Sequence, residues 1–252
     1  MPIFKKKANK NKTIESGEGA FPCHIAIIPD GNRRWARERN LPVVNGHREG
    51  AEQFRKTVIA CGELGIRYVT FYAFSTENWK RDRAEVDALM QMLISFLKNF
   101  EKELGENKDK IKICVIGSKN GLSDELLQEI ARVEAATAKN TQIVVNIAIN
   151  YGAREELVSC MRSIASDAAA GKLLPETIDE DLISGRLYSA GVPDPDLLIR
   201  TSGELRISNF LLWQLAYTEF YFADVFWPDF DRHELEKALK AFQSRKRRYG
   251  AS

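Results

Sequence analysis

The sequence predicts a single α/β domain built on a central, mostly parallel six-stranded sheet that is flanked by helices. Short apolar runs rich in β-branched residues alternate with longer helical patterns, which is typical of repeated β-α-β units. The runs are apolar on both faces, as buried parallel strands require. The chain has 252 residues, 44% of them hydrophobic, and neither a Pro/Gly/Ser-rich linker nor an internal repeat divides it. One large core is therefore expected.

The six predicted strands are short runs of mostly β-branched, aliphatic or aromatic residues. In chain order they cover 25–28, 68–74, 111–116, 143–149, 197–199 and 220–225. The first five are apolar at most positions, which favours central strands covered on both sides. The sixth is more aromatic, and it completes the predicted sheet.

Six helical patterns have apolar residues at three- and four-residue spacing. They cover 46–64, 83–104, 123–139, 153–170, 178–186 and 231–248. Ser123 and Asp231 are typical N-cap residues for the third and the sixth. The second pattern has a wide apolar face, which fits either an ordinary core or one wall of an apolar tunnel for a long hydrocarbon. Periodicity leaves both interpretations open.

The first 20 residues differ from the rest because they are basic, polar and poor in apolar side chains. We predict that 1–20 form a flexible basic tail and that 21–252 form the folded domain. No apolar segment follows the lysines, and no run reaches the ~18 apolar residues of a spanning helix. We therefore expect neither a secretory leader nor membrane insertion.

Charge and cysteine content narrow the class of protein further. The formal net charge is +2, which gives no reason to expect a nucleic-acid partner. The four cysteines are scattered, without a CxxC pair or the Cys/His spacing of a zinc site. Reduced thiols in a cytoplasmic protein are expected rather than a disulfide framework.

Polar residues follow four of the predicted strands, at the sheet edge where α/β proteins bind ligands. Asp30-Gly31-Asn32 offers a carboxylate and backbone N–H groups, which either hold a phosphate with its Mg²⁺ or form a simple turn. Arg34, Arg81, Arg200 and Arg206 would converge if their strands are neighbours. Because clustered guanidinium groups repel one another, this pattern favours a polyanion such as a diphosphate.

Two other side chains have both an ordinary and a functional interpretation. Glu219 is either a strand-edge carboxylate facing water or, with Asp30, part of a hard-cation site. His47, at a predicted helix start, is either structural or a donor to a phosphate oxygen. The chain has no P-loop, GxGxxG, GxSxG or HExxH motif, and it lacks the DDxxD motif of all-helical prenyl synthases. A phosphohydrolase with Asp30 as nucleophile stays an alternative, although Asn32 stands where a second acid would be expected.

The loop sequences, in order along the chain, resemble one known family. The blocks are HIAIIPDGNRRWA at 24–36, GH at 46–47, YAFSTENW at 72–79, NYG at 150–152, PDPDLLIRTSGE at 193–204 and RISNFLLWQ at 206–214. They resemble the cis-prenyltransferases, and most closely the bacterial undecaprenyl diphosphate synthases (isoprenyl transferases). The resemblance extends over about 22–250 and is far more specific than any single motif.

The resemblance implies a homodimeric enzyme that adds isopentenyl diphosphate units to an allylic diphosphate such as farnesyl diphosphate. The new double bonds would be cis, Mg²⁺ would be the cofactor, and the growing chain would occupy an apolar tunnel. The implied product is a long-chain polyprenyl diphosphate such as undecaprenyl diphosphate, a lipid carrier for the cell wall, released through peripheral membrane contact. A short-chain or irregular synthase and a non-catalytic partner subunit are the alternatives.

The resemblance also implies roles for residues of this sequence. Asp30, Asn78 and Arg81 would be catalytic, and Asp30 and Glu219 would hold the metal. The substrate-binding residues would be Gly31, Asn32, Arg33, Arg34, Trp35, His47, Ser75, Thr76, Glu77, Trp79, Arg200, Arg206, Ile207 and Ser208. Since a neutral amide is a poor base, we expect Asn78 mainly to orient the substrates.

Three positions depart from the family pattern. Pro29 stands where methionine is common, Ala153 where glycine is common, and Val43 where many members have an arginine that contacts the allylic diphosphate. The loss of that arginine would weaken allylic binding unless another arginine compensates. The candidates are Arg33, Arg37 and Arg39. At the other end of the chain, Arg247–Gly250 resembles a tail that reaches the partner subunit's site.

Overall fold

A computed structural model describes residues 21–245, and within this range six strands form one sheet. The strands are β1 (His24–Ile28), β2 (Tyr68–Ser75), β3 (Ile111–Ile116), β4 (Ile143–Tyr151), β5 (Leu197–Arg200) and β6 (Glu219–Phe222). They lie in the order β3-β4-β2-β1-β5-β6, and each neighbouring pair is parallel. The predicted fold class is confirmed.

Eight α-helices are found in the same range. They are α1 (Asn32–Glu38), α2 (Val43–Glu63), α3 (Arg83–Lys98), α4 (Phe100–Leu104), α5 (Asp124–Thr137), α6 (Ala153–Ala169), α7 (Glu180–Ser184) and α8 (Arg232–Gln243). Short 3₁₀ turns lie at Thr76–Lys80, Gly105–Asn107, Pro175–Thr177 and Trp227–Asp229. The N-caps predicted at Ser123 and Asp231 are confirmed, since each side chain accepts a hydrogen bond from a backbone N–H of its helix.

The sheet separates two apolar layers, as the two-residue period of a strand requires. Ile25 and Ile27 of β1 belong to the larger core with residues of α2, α3, α5 and α8. Ala26 and Ile28 point to the opposite layer, where they pack with the start of α6 and with the segment before β6. Burial on both faces explains why the strands are almost uniformly apolar in sequence.

Several element bounds differ from the predicted ones. The pattern over 83–104 forms two helices because the chain turns at Asn99, whose side-chain amide donates to the Ser95 carbonyl at 2.8 Å. Helix α1 was not predicted, and α2 begins at Val43 rather than at 46. The tail 1–20, the end of the predicted helix 231–248 and Arg247–Gly250 lie outside the described residues.

The strand order brings two loops together at the carboxyl edge of the sheet. The chain passes from β1 to β2 on one side of β1, whereas β5 pairs with β1 on the other side. Ile28 of β1 is in register with Arg200 of β5. The residues that follow β1 therefore lie beside the end of β5, at the point where the direction of the strand order changes.

Within the described residues, no helix has the length and apolar character needed to cross a bilayer.

Candidate active site

A cavity of about 500 Å³ opens at the carboxyl edge of the sheet, beside the ends of β1, β2 and β5. Twelve of the predicted site residues line it: Asp30, Gly31, Asn32, Arg33, Arg34, His47, Ser75, Asn78, Arg81, Arg200, Arg206 and Ser208. They come from the ends of β2 and β5, from helices α1 and α2, and from the segments that follow β1, β2 and β5. The sheet topology thus assembles one polar pocket from segments that are up to 178 positions apart, from Asp30 to Ser208.

Asp30 is held by groups on both sides of the pocket. Its Oδ2 accepts a hydrogen bond from Arg200 Nη2 at 2.8 Å, and its Oδ1 lies 3.3 Å from Arg34 Nη2. Burial would raise the pKa of Asp30, but the Arg200 hydrogen bond and the charges of Arg200 and Arg34 outweigh it and hold the pKa below its ordinary value. Asp30 is therefore a carboxylate at neutral pH.

Gly31 is required between Asp30 and α1. Its φ of 105° lies in the left-handed region, and a Cβ there would stand 2.1 Å from Ser202 Oγ. Hydrogen bonds to the Asp30 carbonyl also hold this turn in place. Thr201 Oγ1 and Ser202 Oγ donate to that carbonyl at 2.7 and 2.8 Å. The start of α1, which has no side-chain cap, is fixed against the pocket.

Arg200 is the most enclosed cation of the site, with 4% of its side chain exposed. Besides Asp30 it donates to Ser208 Oγ at 2.8 Å and to the Arg206 carbonyl. Tyr72 Oη donates to the Ser208 carbonyl at 3.3 Å and so ties this loop to β2. The loop that contains Arg206 and Ser208 is thereby held over the end of the sheet.

Asn78 is fixed by the turn that follows β2. Its Oδ1 accepts from the backbone N–H of Ser75 at 3.1 Å, as half of a capping box in which Ser75 also takes part. This contact occupies the amide oxygen. The expected role of Asn78, to orient the substrates rather than to accept a proton, stays a prediction.

Glu85 of α3 was not predicted, although it lies at the centre of a basic cluster. Its carboxylate is 3.1 Å from Arg81 Nη1, 3.5 Å from His47 Nε2 and 3.8 Å from Arg33 Nε. Burial lowers the pKa of His47, and the charge of Glu85 opposes this shift without cancelling it. Glu85 therefore joins α3 to the post-β2 turn, α2 and α1.

The pocket carries more positive than negative charge. Six arginines line it, and three carboxylates, Asp30, Glu85 and Glu204, pair with them. Three buried nitrogens in the pocket, Arg33 Nε, His47 Nε2 and Arg200 Nε, have no hydrogen-bond partner in the described part of the chain. A buried polar group without a hydrogen-bond partner costs free energy unless a ligand or water supplies the partner. Both observations indicate a site for a multiply charged anion.

A second cavity of about 140 Å³ adjoins the first and is lined mainly by apolar side chains. It lies between the sheet, α2 and α3, and its walls include Phe54, Phe71, Leu93, Phe96 and Trp227. The two cavities share Pro29, Asn32, His47, Ala73 and Leu89. A ligand with a charged head and a hydrocarbon chain would fit this pair of spaces.

The family model described as "Putative undecaprenyl diphosphate synthase" matches residues 28–250. This match spans nearly the whole chain and every loop of the pocket. The chain belongs to the undecaprenyl diphosphate synthase family of prenyltransferases.

Relatives named isoprenyl transferase are similar over almost the full length. That of Geobacillus kaustophilus is 50% identical over 231 residues, 91% of this chain and 89% of the relative. That of Clostridium tetani is 44% identical over 252 residues, 98% of each chain. This prenyltransferase is therefore an enzyme of cis-prenyl chain elongation, as the resemblance implied.

Two solved structures share the fold. The lavandulyl diphosphate synthase from Lavandula x intermedia, solved in complex with dimethylallyl diphosphate, has a TM-score of 0.88 and 38% identity, and the match covers 92% of this chain and 99% of that one. A "probable undecaprenyl diphosphate synthase" from Campylobacter jejuni has a TM-score of 0.74 and 30% identity, with 91% and 99% covered.

Five residues predicted to bind substrate do not line the pocket of this prenyltransferase. They are Trp35, Thr76, Glu77, Trp79 and Ile207. Trp35 Nε1 donates to Asp229 Oδ1 at 2.7 Å, and Trp79 Nε1 donates to Asn150 Oδ1 at 2.7 Å. Glu77 accepts from Asn209 Nδ2 at 2.9 Å. The Glu77 contact joins the loops after β2 and β5, whereas the two tryptophans anchor α1 and the post-β2 turn to neighbouring elements. Direct substrate contact by these five residues stays a prediction.

Glu219 does not meet Asp30 within one chain, contrary to our expectation. It begins β6 and is in register with Leu197, whereas Arg200 beside Asp30 is in register with Phe222. Glu219 thus lies at the amino edge of the strands, where its Oε2 is 2.6 Å from Arg245 Nη1. The sequence interpretation joined Glu219 to Asp30 in one site, whereas the parallel pairing of β6 places it at the opposite end of the strands, and its role as a metal ligand stays a prediction.

Proposed function

We propose that this prenyltransferase condenses isopentenyl diphosphate with an allylic diphosphate, with farnesyl diphosphate as primer, and forms cis double bonds. The observation that carries this proposal is the pairing of an arginine-rich polar cavity with an adjoining apolar one. The diphosphate of the primer would bind beside the unpaired nitrogens of Arg33 and His47, and its hydrocarbon would extend between α2, α3 and the sheet. The second diphosphate would bind Arg200, Arg206 and Ser208.

The pocket would act mainly through electrostatic stabilisation and orientation. When the allylic C–O bond breaks, negative charge moves onto the departing diphosphate, and guanidinium groups already in place stabilise it without reorganisation. Two substrates held side by side react as if at very high local concentration. The orphaned donors of Arg33, His47 and Arg200 are the groups in position to do this.

The Asp30 carboxylate is a suitable ligand for a magnesium ion that would also bind a diphosphate. Mg²⁺ is commonly held by one or two carboxylates together with phosphate oxygens and water, and Asp30 is a carboxylate that lines the pocket. Bound there, Mg²⁺ would neutralise charge on the leaving diphosphate. Arg200 and Arg34 fix the Asp30 carboxylate before a substrate binds.

We propose a long-chain product such as undecaprenyl diphosphate, the lipid carrier of cell-wall glycan synthesis, made in the cytoplasm by a homodimer with peripheral membrane contact at release. Two observations support this proposal. The apolar cavity can take a hydrocarbon chain, and relatives similar over nearly the full length are named isoprenyl transferase. The likeness to a lavandulyl diphosphate synthase favours one alternative, an irregular condensation of short units. Chain length separates the two proposals.

The test is to incubate the protein with farnesyl diphosphate, labelled isopentenyl diphosphate and Mg²⁺, and to measure the chain length of the products. We expect polyprenyl diphosphates several units longer than the primer. Products of one condensation only would contradict the long-chain proposal and favour the alternative.

Asp30→Asn tests the role of the carboxylate in the same assay. It keeps the shape of the side chain but removes its charge, and we expect a loss of roughly 100-fold or more in kcat. Asp87→Asn, on the exposed face of α3, is the matched control and should retain activity. An Asp30→Asn enzyme within a few-fold of the parent would remove Asp30 from the mechanism.

A further inference from the structure

Arg37 differs from the other arginines of the pocket because it has no counter-charge. Arg33, Arg34, Arg81, Arg200 and Arg206 each pair with a carboxylate. Within residues 21–245, the Arg37 guanidinium has neither an ion pair nor a side-chain hydrogen bond, although Arg37 lines the same cavity. Its charge is thus available to a ligand without breaking an existing contact.

The helix that contains Arg37 indicates which of the two substrates this residue is near. It lies on the last turn of α1, four residues after Arg33 and so on the same face of the helix. Helix α1 begins at Asn32, which is one of the residues that the polar cavity shares with the apolar one. A substrate whose hydrocarbon enters the apolar cavity must keep its diphosphate close by. We therefore assign α1, with Arg37, to the allylic substrate, whereas Arg200 and Arg206 come from the end of β5 and the loop that follows it.

The other positions considered for an extra phosphate contact are less available than Arg37. Val43 carries no charge, and it lines an apolar groove with Ala88 and Met92 that borders the polar cavity at His47. Arg39 does not line the polar cavity, because its Nη2 is 3.0 Å from Asp229 Oδ2 and its guanidinium lies 4.4 Å above the Trp35 ring. Arg33 keeps an unpaired Nε that can meet the diphosphate, but Glu85, 3.8 Å away, already offsets its charge.

We propose that Arg37 is a specificity-determining residue of the allylic site, where it binds the diphosphate of the primer at the mouth of the cavity. The inference rests on the proposed function. Because the side chain is exposed, it can meet an arriving diphosphate in solvent and follow it into the pocket. An exposed cation of this kind raises association rates for anions and makes them dependent on ionic strength.

Arg37→Gln is the test, with Arg48→Gln as the matched control. Arg48 is an exposed arginine of α2 that does not line the cavity. The affinity for farnesyl diphosphate alone is measured by calorimetry, and KM for each substrate and kcat are measured at several salt concentrations. For Arg37→Gln we expect about tenfold weaker binding and a similarly raised KM for farnesyl diphosphate. KM for isopentenyl diphosphate and kcat should change less than about twofold, and the salt dependence should become weaker.

Each other outcome overturns the inference. An unchanged affinity for farnesyl diphosphate, or an equal effect of Arg48→Gln, would show that Arg37 supplies only general surface charge. An equal rise in both KM values would show that it does not distinguish the two sites. If the unsubstituted protein neither binds farnesyl diphosphate nor elongates it, the proposed function itself has failed. Thermal unfolding of both variants checks that the fold is kept.

Discussion

His24 shows how one buried side chain makes stability depend on pH. It is 2% exposed, and its Nδ1 lies 2.6 Å from the Pro193 carbonyl and its Nε2 2.8 Å from Thr70 Oγ1. Thr70 Oγ1 also accepts from Asn146 Nδ2 at 3.0 Å. A neutral imidazole with its proton on Nδ1 satisfies all these partners, because Nε2 can then accept from the Thr70 hydroxyl. Burial lowers the pKa of His24 to about 4.

We therefore predict a loss of stability in mild acid. The unfolded chain binds a proton at His24 below about pH 6.5, whereas the folded chain does so only near pH 4, so the free energy of unfolding falls as the pH falls through this window. From His24 alone we expect a loss of about 2 kcal/mol between pH 7 and pH 5. Urea denaturation at both pH values measures it. His24→Gln should lose this part of the pH dependence, and parallel curves for the two proteins would contradict the assignment.

Single residues also mark the limit of what the sequence could predict about the site. Asp30 and Arg200 were found because each follows a predicted strand and strand ends meet in a parallel sheet, whereas Ser208 was implied only by the family resemblance. Glu85 was not found, since a glutamate in the first turn of a helix is ordinary and nothing in its spacing shows that it faces His47. Glu219 was grouped with Asp30 on residue type, although it comes at the start of β6, and the start of a parallel strand lies at the edge of the sheet away from the pocket.

Helix α1 shows the same limit for whole elements. It is only seven residues long and is strongly basic, and Ala36 is its one buried residue. Such a segment has no apolar periodicity to detect. Its place comes from tertiary contact, because α2 approaches it so closely that a Cβ on Gly46 would lie 2.0 Å from the Asn32 carbonyl oxygen. The longer helices were predictable because each buries a repeated apolar stripe.

Helix α3 links the charged and the apolar cavity. Glu85 near its start binds the basic cluster, while Leu93 and Phe96 farther along line the apolar space. The apolar face of this helix was consistent with core or with tunnel wall; the structure shows core packing and a small apolar cavity, and a tunnel for a long hydrocarbon stays a prediction. Val86, Ile94 and Leu97 are buried in the core. Which residues of α3 face the core and which face the apolar cavity depends on the packing angle of the helix. The periodicity of the sequence does not encode this angle.

We predict that Leu93→Trp shortens the products. The larger side chain would fill part of the apolar cavity of about 140 Å³, so fewer isoprene units could be accommodated before release. The measurement is the chain-length distribution under the conditions given above. Gln91→Trp adds the same ring to the exposed side of α3 and should leave the distribution unchanged. An unaltered distribution in Leu93→Trp would show that the growing chain does not pass this part of α3.

At the scale of the whole molecule, the sheet edge formed by β6 is preceded in the chain by a segment with exposed apolar side chains. Strand β6 is an edge strand, and its residues are only partly buried. The segment between β5 and β6 exposes Leu205, Leu212 and Tyr217, which are 76%, 38% and 84% accessible. Grouped apolar side chains beside an open strand edge commonly mark a protein interface. We therefore expect the proposed homodimer to form at this edge.

Tyr217→Asp tests this location. A charge at the centre of an apolar interface would be desolvated without a partner, which opposes association. Sedimentation should give twice the 28.6 kDa chain mass for the unsubstituted protein and the single chain mass for Tyr217→Asp. Leu174→Asp adds the same charge at another exposed apolar residue, 65% accessible and distant in sequence from β6, and should stay dimeric. A monomeric parent would refute the homodimer, whereas a dimeric Tyr217→Asp with full activity would place the interface on another face.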